Sequence, residues 1–292
     1  MKKDEFMGTL LEGKPLAEKI KAGITTEVAA LKAKHGSSPK LVAVQIGENA
    51  SSAVYIKNQK KAAESLGIGY ELKTMPAGAS QAEPEKLIRA LNADASVTAV
   101  ILQLPVPGQI DAKKLVNMIS PDKDAEGMHP QNLGRILLGN FTVGPCTAMA
   151  VMELLESTGV TLYGKEAVVV GHSEIVGKPL ALMLLNKFVT TTVCHIATGE
   201  RGLLPEHVKR AEILVVAVGK AGIVKGDWIR PGAIVIDVGI NRVGDTIVGD
   251  VEFEAAAAKA SYITPVPGGV GPLTTAILMR NTVELFKAQV KG

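Results

Sequence analysis

From Lys165 to Asn186 the chain reads KEAVVVGHSEIVGKPLALMLLN. The run Ala167–Val170 is apolar and valine-rich, Gly171 interrupts it, and apolar residues resume at helical spacing from about Gly177. A short valine-rich run bounded by glycine is the pattern of a strand buried in a parallel sheet. The turn from Gly171 to Gly177 then lets the first N–H groups of the next helix face an anion, which is how a dinucleotide pyrophosphate is usually held. A strict GxGxxG would also need glycine at Ser173 and Val176, and neither is present. On this stretch alone, nucleotide binding and an ordinary strand–turn–helix both stay open.

The remaining chain repeats the same alternation. Over Pro15–Lys34, Leu16, Ile20, Ile24, Val28 and Leu31 recur at three- and four-residue steps and predict an amphipathic helix. Leu41–Gly47 reads as a strand with a glycine turn, Ser52–Leu66 as a helix closed by Gly67, and Tyr70–Met75 as a second strand. Ser80 with Glu83 gives a capping-box signal for a helix through Leu91, and Val97–Leu102 is a third strand running into Gln103-Leu104-Pro105-Val106-Pro107. Pro121–Arg135 reads as a polar loop and Thr147–Ser157 as a helix. Strands follow at Thr191–Cys194, Ile213–Ala217, Ala233–Val238 and Tyr262–Thr264, then a closing helix at Leu273–Lys287. Strands alternating with helices predict an α/β fold with parallel sheets and right-handed crossovers. A boundary near Gly144–Thr147 predicts two domains, 1–146 and 147–272, with the helix at about 273–292 packing back on the first. A small-molecule site is expected in the cleft between them.

Composition narrows the partners. With 47% hydrophobic residues the chain can bury a large core, while 3% aromatics offer no stacking platform for nucleic-acid bases. A net charge of +3 does not call for a polyanionic partner. The two cysteines, Cys146 and Cys194, lack metal-ligand spacing and suit a reducing cytoplasm, so no metal is expected. The opening MKKDEFMG has no apolar signal core, and no uncharged run approaches the roughly 20 residues of a membrane span.

Four places are more specific than packing requires. On the helix carrying Tyr55, Asn58, Gln59 and Ala62 share its face while Lys57, Lys60 and Lys61 point elsewhere; a solvated basic helix has the same pattern. Gln103 stands just past a buried strand, where open α/β sheets bind ligands and where a plain turn residue could equally stand. Lys123-Asp124-Ala125-Glu126-Gly127 is a charged loop, which more commonly is only solvated surface. The run Pro265-Val266-Pro267-Gly268-Gly269-Val270-Gly271-Pro272 holds an extended backbone that side chains do not crowd.

Together these pieces resemble the methylenetetrahydrofolate dehydrogenase/cyclohydrolase family over nearly the whole chain. The matching stretches are Ser52-Ala53-Val54-Tyr55-Ile56, Gln103-Leu104-Pro105-Val106-Pro107, Pro121-Asp122-Lys123-Asp124 with Gly127, Gly144-Pro145-Cys146-Thr147, Gly171 to Gly177, Asp237-Val238-Gly239-Ile240-Asn241, and Thr264 to Pro272. The resemblance implies oxidation of 5,10-methylenetetrahydrofolate with a nicotinamide acceptor, commonly followed by hydrolysis of the methenyl product to 10-formyltetrahydrofolate. It makes residues 1–146 a folate-binding catalytic domain and 147–272 a Rossmann-type NAD(P)-binding domain. Tyr55, Gln59, Gln103 and Glu126 take the catalytic positions; Tyr55, Gln103, Asp124, Glu126, Gly268, Gly271 and Thr274 the folate site; Gly171, His172, Ser173, Ile196 and Ile240 the cofactor site. A homodimer is implied as well.

The departures carry consequences. The family's catalytic lysine falls at Gln59, which cannot exchange a proton near neutral pH, so the cyclohydrolase step is expected to be weak or absent. Glu126 replaces the usual aspartate and shifts its carboxylate by about one carbon–carbon bond. Ala148 replaces a second proline after Thr147. The strand ending at Ile196 offers no carboxylate for a ribose, and neither His172 nor Ile196 is the basic residue usual against a 2′-phosphate. NADP is set ahead of NAD. A fully bifunctional enzyme, in which another group replaces the lysine, is the main alternative. A folate-binding protein without catalysis is the alternative of another class.

Overall fold

The computed structural model describes residues 8–291, with the backbone alone at residues 50 and 51; residues 1–7 of the opening segment lie outside the described residues. Strand β1 spans Thr9–Leu10 and helix α1 Gly13–His35. Then come β2 (Lys40–Ile46), α2 (Ala50–Ser65), β3 (Gly69–Met75), α3 (Ala82–Ala93) and β4 (Ala99–Leu102). Helices α4 (Ala112–Met118) and α5 (Pro130–Leu137) precede α6 (Cys146–Ser157), β5 (Glu166–Val170), α7 (Gly177–Asn186) and β6 (Thr190–Cys194). Two short helices, α8 (Ile196–Glu200) and α9 (Leu204–Arg210), lead to β7 (Ile213–Val216) and β8 (Ile234–Asp237). A hairpin of β9 (Asn241–Val243) and β10 (Thr246–Val248), then α10 (Phe253–Ala257), β11 (Tyr262–Ile263) and α11 (Gly271–Lys291), complete the chain.

The described residues form two compact units. One combines the described residues up to Ala17 with Thr147–Thr274; the other combines Glu18–Cys146 with the residues from Thr275 onward. The range 1–146 is therefore corrected at its start. Strand β1 pairs in parallel with β11, Thr9 opposite Tyr262, and belongs to the other unit. A two-residue strand has no periodicity by which sequence could reveal it.

The three-stranded unit has the parallel order β3-β2-β4. Strand β2 is buried on both faces. Leu41 and Ala43 enter one core with Ile24, Val28, Ala63 and Leu66, joined by Leu278, Met279 and Val283 of α11. Val42, Val44 and Ile46 enter a second core with Ile88, Leu91 and Leu115. Two helical layers thus cover one sheet, each buried Leu or Val contributing about 1.5–3 kcal/mol. The six-stranded unit has the order β1-β11-β8-β7-β5-β6, every pair parallel. Val168, Val170, Leu214, Val216 and Val235 face a core closed by Leu204, Val208 and Ala256.

Two sequence expectations change. The loop 121–135 contains the first turns of α5, whose start is set by Pro130 at the first helical position and by the His129 side chain accepting the Gln131 N–H at 3.1 Å. The capping box at Ser80 is half formed. The Glu83 carboxylate accepts both the N–H (2.9 Å) and the hydroxyl (3.1 Å) of Ser80, so the hydroxyl caps no backbone group and Gln81 is the N-cap.

Candidate active site

In the three-stranded unit, the inward stripe of α2 is Ser52, Ile56, Gln59, Ala62 and Ala63, continued by Leu66 just past its end. That corrects the shared face read from sequence. Gln59 is 7% exposed, whereas Tyr55 is 54% exposed and Asn58 stands on the outer face with Lys57, Lys60 and Lys61. A stripe of 3.6-residue period centred on Gln59 leaves Tyr55 at its edge. Tyr55 thus presents an open aromatic face, and none of the three lysines reaches the interior.

Gln59 is held tightly. Its Oε1 accepts from Gln103 Nε2 at 3.0 Å and from the Tyr70 hydroxyl at 3.3 Å. Gln103 is 6% exposed at the end of β4, its own N–H bonded to the Val44 carbonyl. Burial pushes the Tyr70 hydroxyl up to about 12, so it stays a donor at working pH. Both lone-pair directions of the Gln59 oxygen are taken. The cluster is polar, buried and without a proton to exchange. Sequence singled out Gln59 and Gln103 but missed Tyr70, whose place in β3 gave no signal.

The acidic loop continues from β4. Val100 and Asp124 form a parallel bridge, so Asp124 to Gly127 runs alongside the end of that strand. Asp124 is 2% exposed; its Oδ2 accepts from the His129 N–H (2.7 Å) and the Asn132 amide (2.9 Å), yet burial still raises its carboxyl above the usual range. Burial pushes the Glu126 carboxyl up to about 8, and the Asp124 charge adds to the rise. Glu126 is therefore mostly a neutral acid at pH 7. Lys123 turns away and donates to the carbonyls of Leu91 (3.0 Å) and Asp94 (2.6 Å). Gly127 has φ +66°, and a Cβ there would come within 2.4 Å of the Gly144 backbone. Asn281 of α11 donates to the carbonyls of Ala125 (2.9 Å) and Gly144 (3.0 Å) and locks that approach. Burial, with the charges of Glu126 and Asp124, holds the Cys146 thiol well above its usual value, so it is protonated and no nucleophile.

The six-stranded unit carries the glycine turn. Gly171 has φ +125°, and a Cβ on Gly177 would lie 2.0 Å from the Gly171 carbonyl oxygen. Only glycine lets α7 begin so close to β5. Ser173 shapes the turn: its Oγ accepts the Val176 N–H (3.1 Å) and its carbonyl the Lys178 N–H (3.0 Å). His172 meets His195 edge-on, ring centroids 5.4 Å apart, beyond the ends of the neighbouring strands β5 and β6. Ile175, Ile196, Val218 and Ile240 are all exposed past the C-terminal ends of β5, β6, β7 and β8. Four aliphatic side chains left open along one edge of a parallel sheet fit the flat rings and ribose of a dinucleotide. Sequence named Ile196 and Ile240; Ile175 and Val218 emerge only from the strand order.

The Pro/Gly run follows β11. Gly268 has φ +115°, and its carbonyl accepts the Gly13 N–H at 2.9 Å. A Cβ on Gly269 would press on Thr264 at 2.7 Å, whereas one on Gly271 would meet nothing within 4 Å. Gly271 thus opens onto free space at the start of α11. The Thr274 hydroxyl donates to the Gly271 carbonyl at 2.8 Å within that first turn.

Comparison with known proteins agrees with both halves. Residues 11–126 match the family model described as tetrahydrofolate dehydrogenase/cyclohydrolase, catalytic domain, and residues 145–290 match the model of its NAD(P)-binding domain. Bifunctional protein FolD 2 of Geobacter metallireducens is 47% identical, covering 98% of this chain and 99% of its own length. The crystal structure of the bifunctional FolD dehydrogenase/cyclohydrolase of Campylobacter jejuni superposes with a TM-score of 0.92 at 42% identity, covering 96% of this chain and 99% of that one. That of Trypanosoma brucei, complexed with NADP and an inhibitor, gives 0.94 at 38% identity over 98% and 99%. With the glycine turn, the glutamine cluster and the Pro/Gly run in place across both matched domains, the chain belongs to the tetrahydrofolate dehydrogenase/cyclohydrolase family.

Proposed function

We propose that this enzyme oxidises 5,10-methylenetetrahydrofolate to the methenyl form with NAD(P), and that its cyclohydrolase step is weak or absent. The observation carrying this reading is the buried Gln59 amide, whose oxygen is saturated by Gln103 and Tyr70 where a proton-exchanging lysine is usual. Bound NAD(P) supplies the hydride acceptor. The chain's own residues bind and orient. Tyr55 stacks on the folate ring system, and Gln103, fixed by Gln59, directs its remaining polar groups at the reacting nitrogen. Asp124 and Glu126 grip the pterin, the latter as a neutral donor. Gly268, Gly271 and Thr274 line the substrate from the Pro/Gly run, while Gly171, His172 and Ser173 hold the dinucleotide, with Ile196 beside the adenosine end and Ile240 near the nicotinamide.

Hydride transfer asks mainly for two rings in register, so it survives the loss of the lysine. The methenyl hydrolysis asks for a proton shuttle, and general acid–base help is worth about 10²–10⁴-fold. NADP is placed ahead of NAD on the family resemblance, with His172 and His195, which meet beside the glycine turn, as the candidate partners of a 2′-phosphate. A cytoplasmic homodimer without a bound metal belongs to the same proposal, and two free cysteines suit that compartment. The test is formation of reduced nicotinamide from methylenetetrahydrofolate by the pure protein. No reduction at high enzyme concentration overturns the reading and leaves a folate-binding protein.

One observation favours a second reading, the fully bifunctional enzyme. The Glu126 carboxyl at about 8 can both give and take a proton near neutrality, and the relatives carry the bifunctional name. Loss of methenyl hydrolysis in Glu126→Gln, from a substantial starting rate, would establish it.

A further inference from the structure

Beyond the cofactor turn, two buried aspartates organise the loops next to it. Asp250 is fully buried after β10, and four N–H donors converge on its carboxylate. Oδ2 accepts from Val218 (2.7 Å) and Gly219 (2.9 Å); Oδ1 accepts from Lys220 (2.8 Å) and from Asn241 Nδ2 (2.8 Å). Asp237, at the end of β8, accepts the N–H groups of Gly239 (2.9 Å), Asp250 (3.0 Å) and Val251 (2.8 Å). The fit is close on both sides. A Cβ on Gly239 would lie 2.2 Å from the Asp250 carboxylate, and one on Gly249 would lie 2.0 Å from Asp237 Oδ2.

Both carboxylates are buried. What they hold is the backbone carrying Val218 and Ile240, two of the four aliphatic residues exposed past the strand ends. Ile240 is bracketed, since Gly239 is bound by Asp237 and Asn241 by Asp250. The loop after β7 donates three of its N–H groups to Asp250 alone.

We propose that Asp250 is a positioning residue for NAD(P), fixing the Val218-Gly219-Lys220 loop and the Gly239–Asn241 segment in the geometry the dinucleotide requires. The inference rests on the reading that this unit binds NAD(P). An asparagine at position 250 cannot substitute. With its NH2 group at the Oδ2 place it opposes the Val218 and Gly219 N–H groups, and at the Oδ1 place it opposes the Lys220 N–H, so in either orientation the loop after β7 loses at least one acceptor.

The test uses the full-length protein and compares the unaltered chain with Asp250→Asn and Asn241→Ala. NADPH affinity is read from the fluorescence of the bound reduced cofactor, folate affinity from equilibrium dialysis of tetrahydrofolate, and folding from thermal melts. For Asp250→Asn, NADPH binding is expected to weaken about tenfold or more, since hydrogen bonds to charged groups are worth at least that factor. Tetrahydrofolate binding stays unchanged, and the KM for NADP rises without a rise in the KM for methylenetetrahydrofolate. A merely structural role would not produce that split below the melting temperature. Asn241→Ala, which keeps the loop bonds and frees only the Ile240 side, is expected to weaken NADPH binding about threefold, and it decides the matter if Asp250→Asn does not fold. Equal NADPH binding by the folded variants and the unaltered protein overturns the inference alone. No binding of NADPH or NADH by the unaltered protein overturns the cofactor reading and the inference with it.

Discussion

Substituting Gln59→Lys should raise methenyltetrahydrofolate cyclohydrolase activity well above that of the unaltered chain. The site is prepared for it. Position 59 is 7% exposed and lies 3.0 Å from Gln103 and 3.3 Å from the Tyr70 hydroxyl, two neutral groups that can each turn from donor to acceptor. An ammonium there loses hydration, which lowers its pKa towards neutrality and makes it a competent proton carrier. The expected gain in methenyl hydrolysis is about 10²–10⁴-fold, equivalent to about 3–5 kcal/mol at the barrier. The assay follows loss of methenyl absorbance with no nicotinamide present, so the dehydrogenase cannot contribute. A parent protein that already hydrolyses the methenyl substrate as fast as the Gln59→Lys variant refutes the reasoning, because the buried amide would then not be what limits the step.

Three further outcomes follow from the geometry. Glu126 is raised in the folded state from 4.5 to about 8, so its stabilising contribution is complete below its unfolded pKa and is lost as pH rises through 8. Glu126→Gln, which mimics the neutral acid and does not titrate, should therefore gain melting temperature relative to the parent between pH 5 and pH 9; a constant difference across that window contradicts the assignment. His172→Arg should improve kcat/KM for NADP by about fivefold to tenfold, as expected of a charge-assisted pair with a 2′-phosphate, and leave NAD nearly unchanged. Equal effects on both cofactors would remove His172 from the phosphate site. Asn281→Ala removes the amide donor from two carbonyls, Ala125 and Gly144, leaving Ala125 only the weak Cys146 thiol, and should cost about 2–4 kcal/mol in a denaturant melt; a loss below about 0.5 kcal/mol would show that the acidic loop does not depend on that tie.

Some of this was legible in the sequence for clear reasons. The valine-rich β5 and the regular apolar steps of α1 carry their own period, so strand and helix could be read directly. Helix α4 is seven residues long and starts at Asp111, whose side chain accepts the Lys114 N–H at 2.9 Å; a single cap leaves too weak a trace to read in advance. The β9–β10 hairpin turns at Gly244 with φ +59° between strands of three residues, too short to alternate visibly. At the site, Gln103 could be found because it follows a buried strand. Tyr70 could not, because its hydroxyl finds Gln59 across the pairing of two elements rather than along one. The four bonds to Asp250 come from residues 9 to 32 positions away, a convergence that only the strand order produces. The helical wheel of α2 also misplaced Tyr55, because the stripe's centre is set by the packed core and the period alone does not locate it.

The central claim is that hydride chemistry persists while hydrolysis has lost its proton carrier. The most direct test is one time course with the unaltered protein, methylenetetrahydrofolate and NADP, in which reduced nicotinamide and methenyl product are measured separately. Methenyltetrahydrofolate accumulating in step with reduced nicotinamide is the predicted result, beyond the slow uncatalysed hydrolysis measured without enzyme. Reduced nicotinamide rising while the methenyl species stays near zero and 10-formyltetrahydrofolate appears in its place would contradict it.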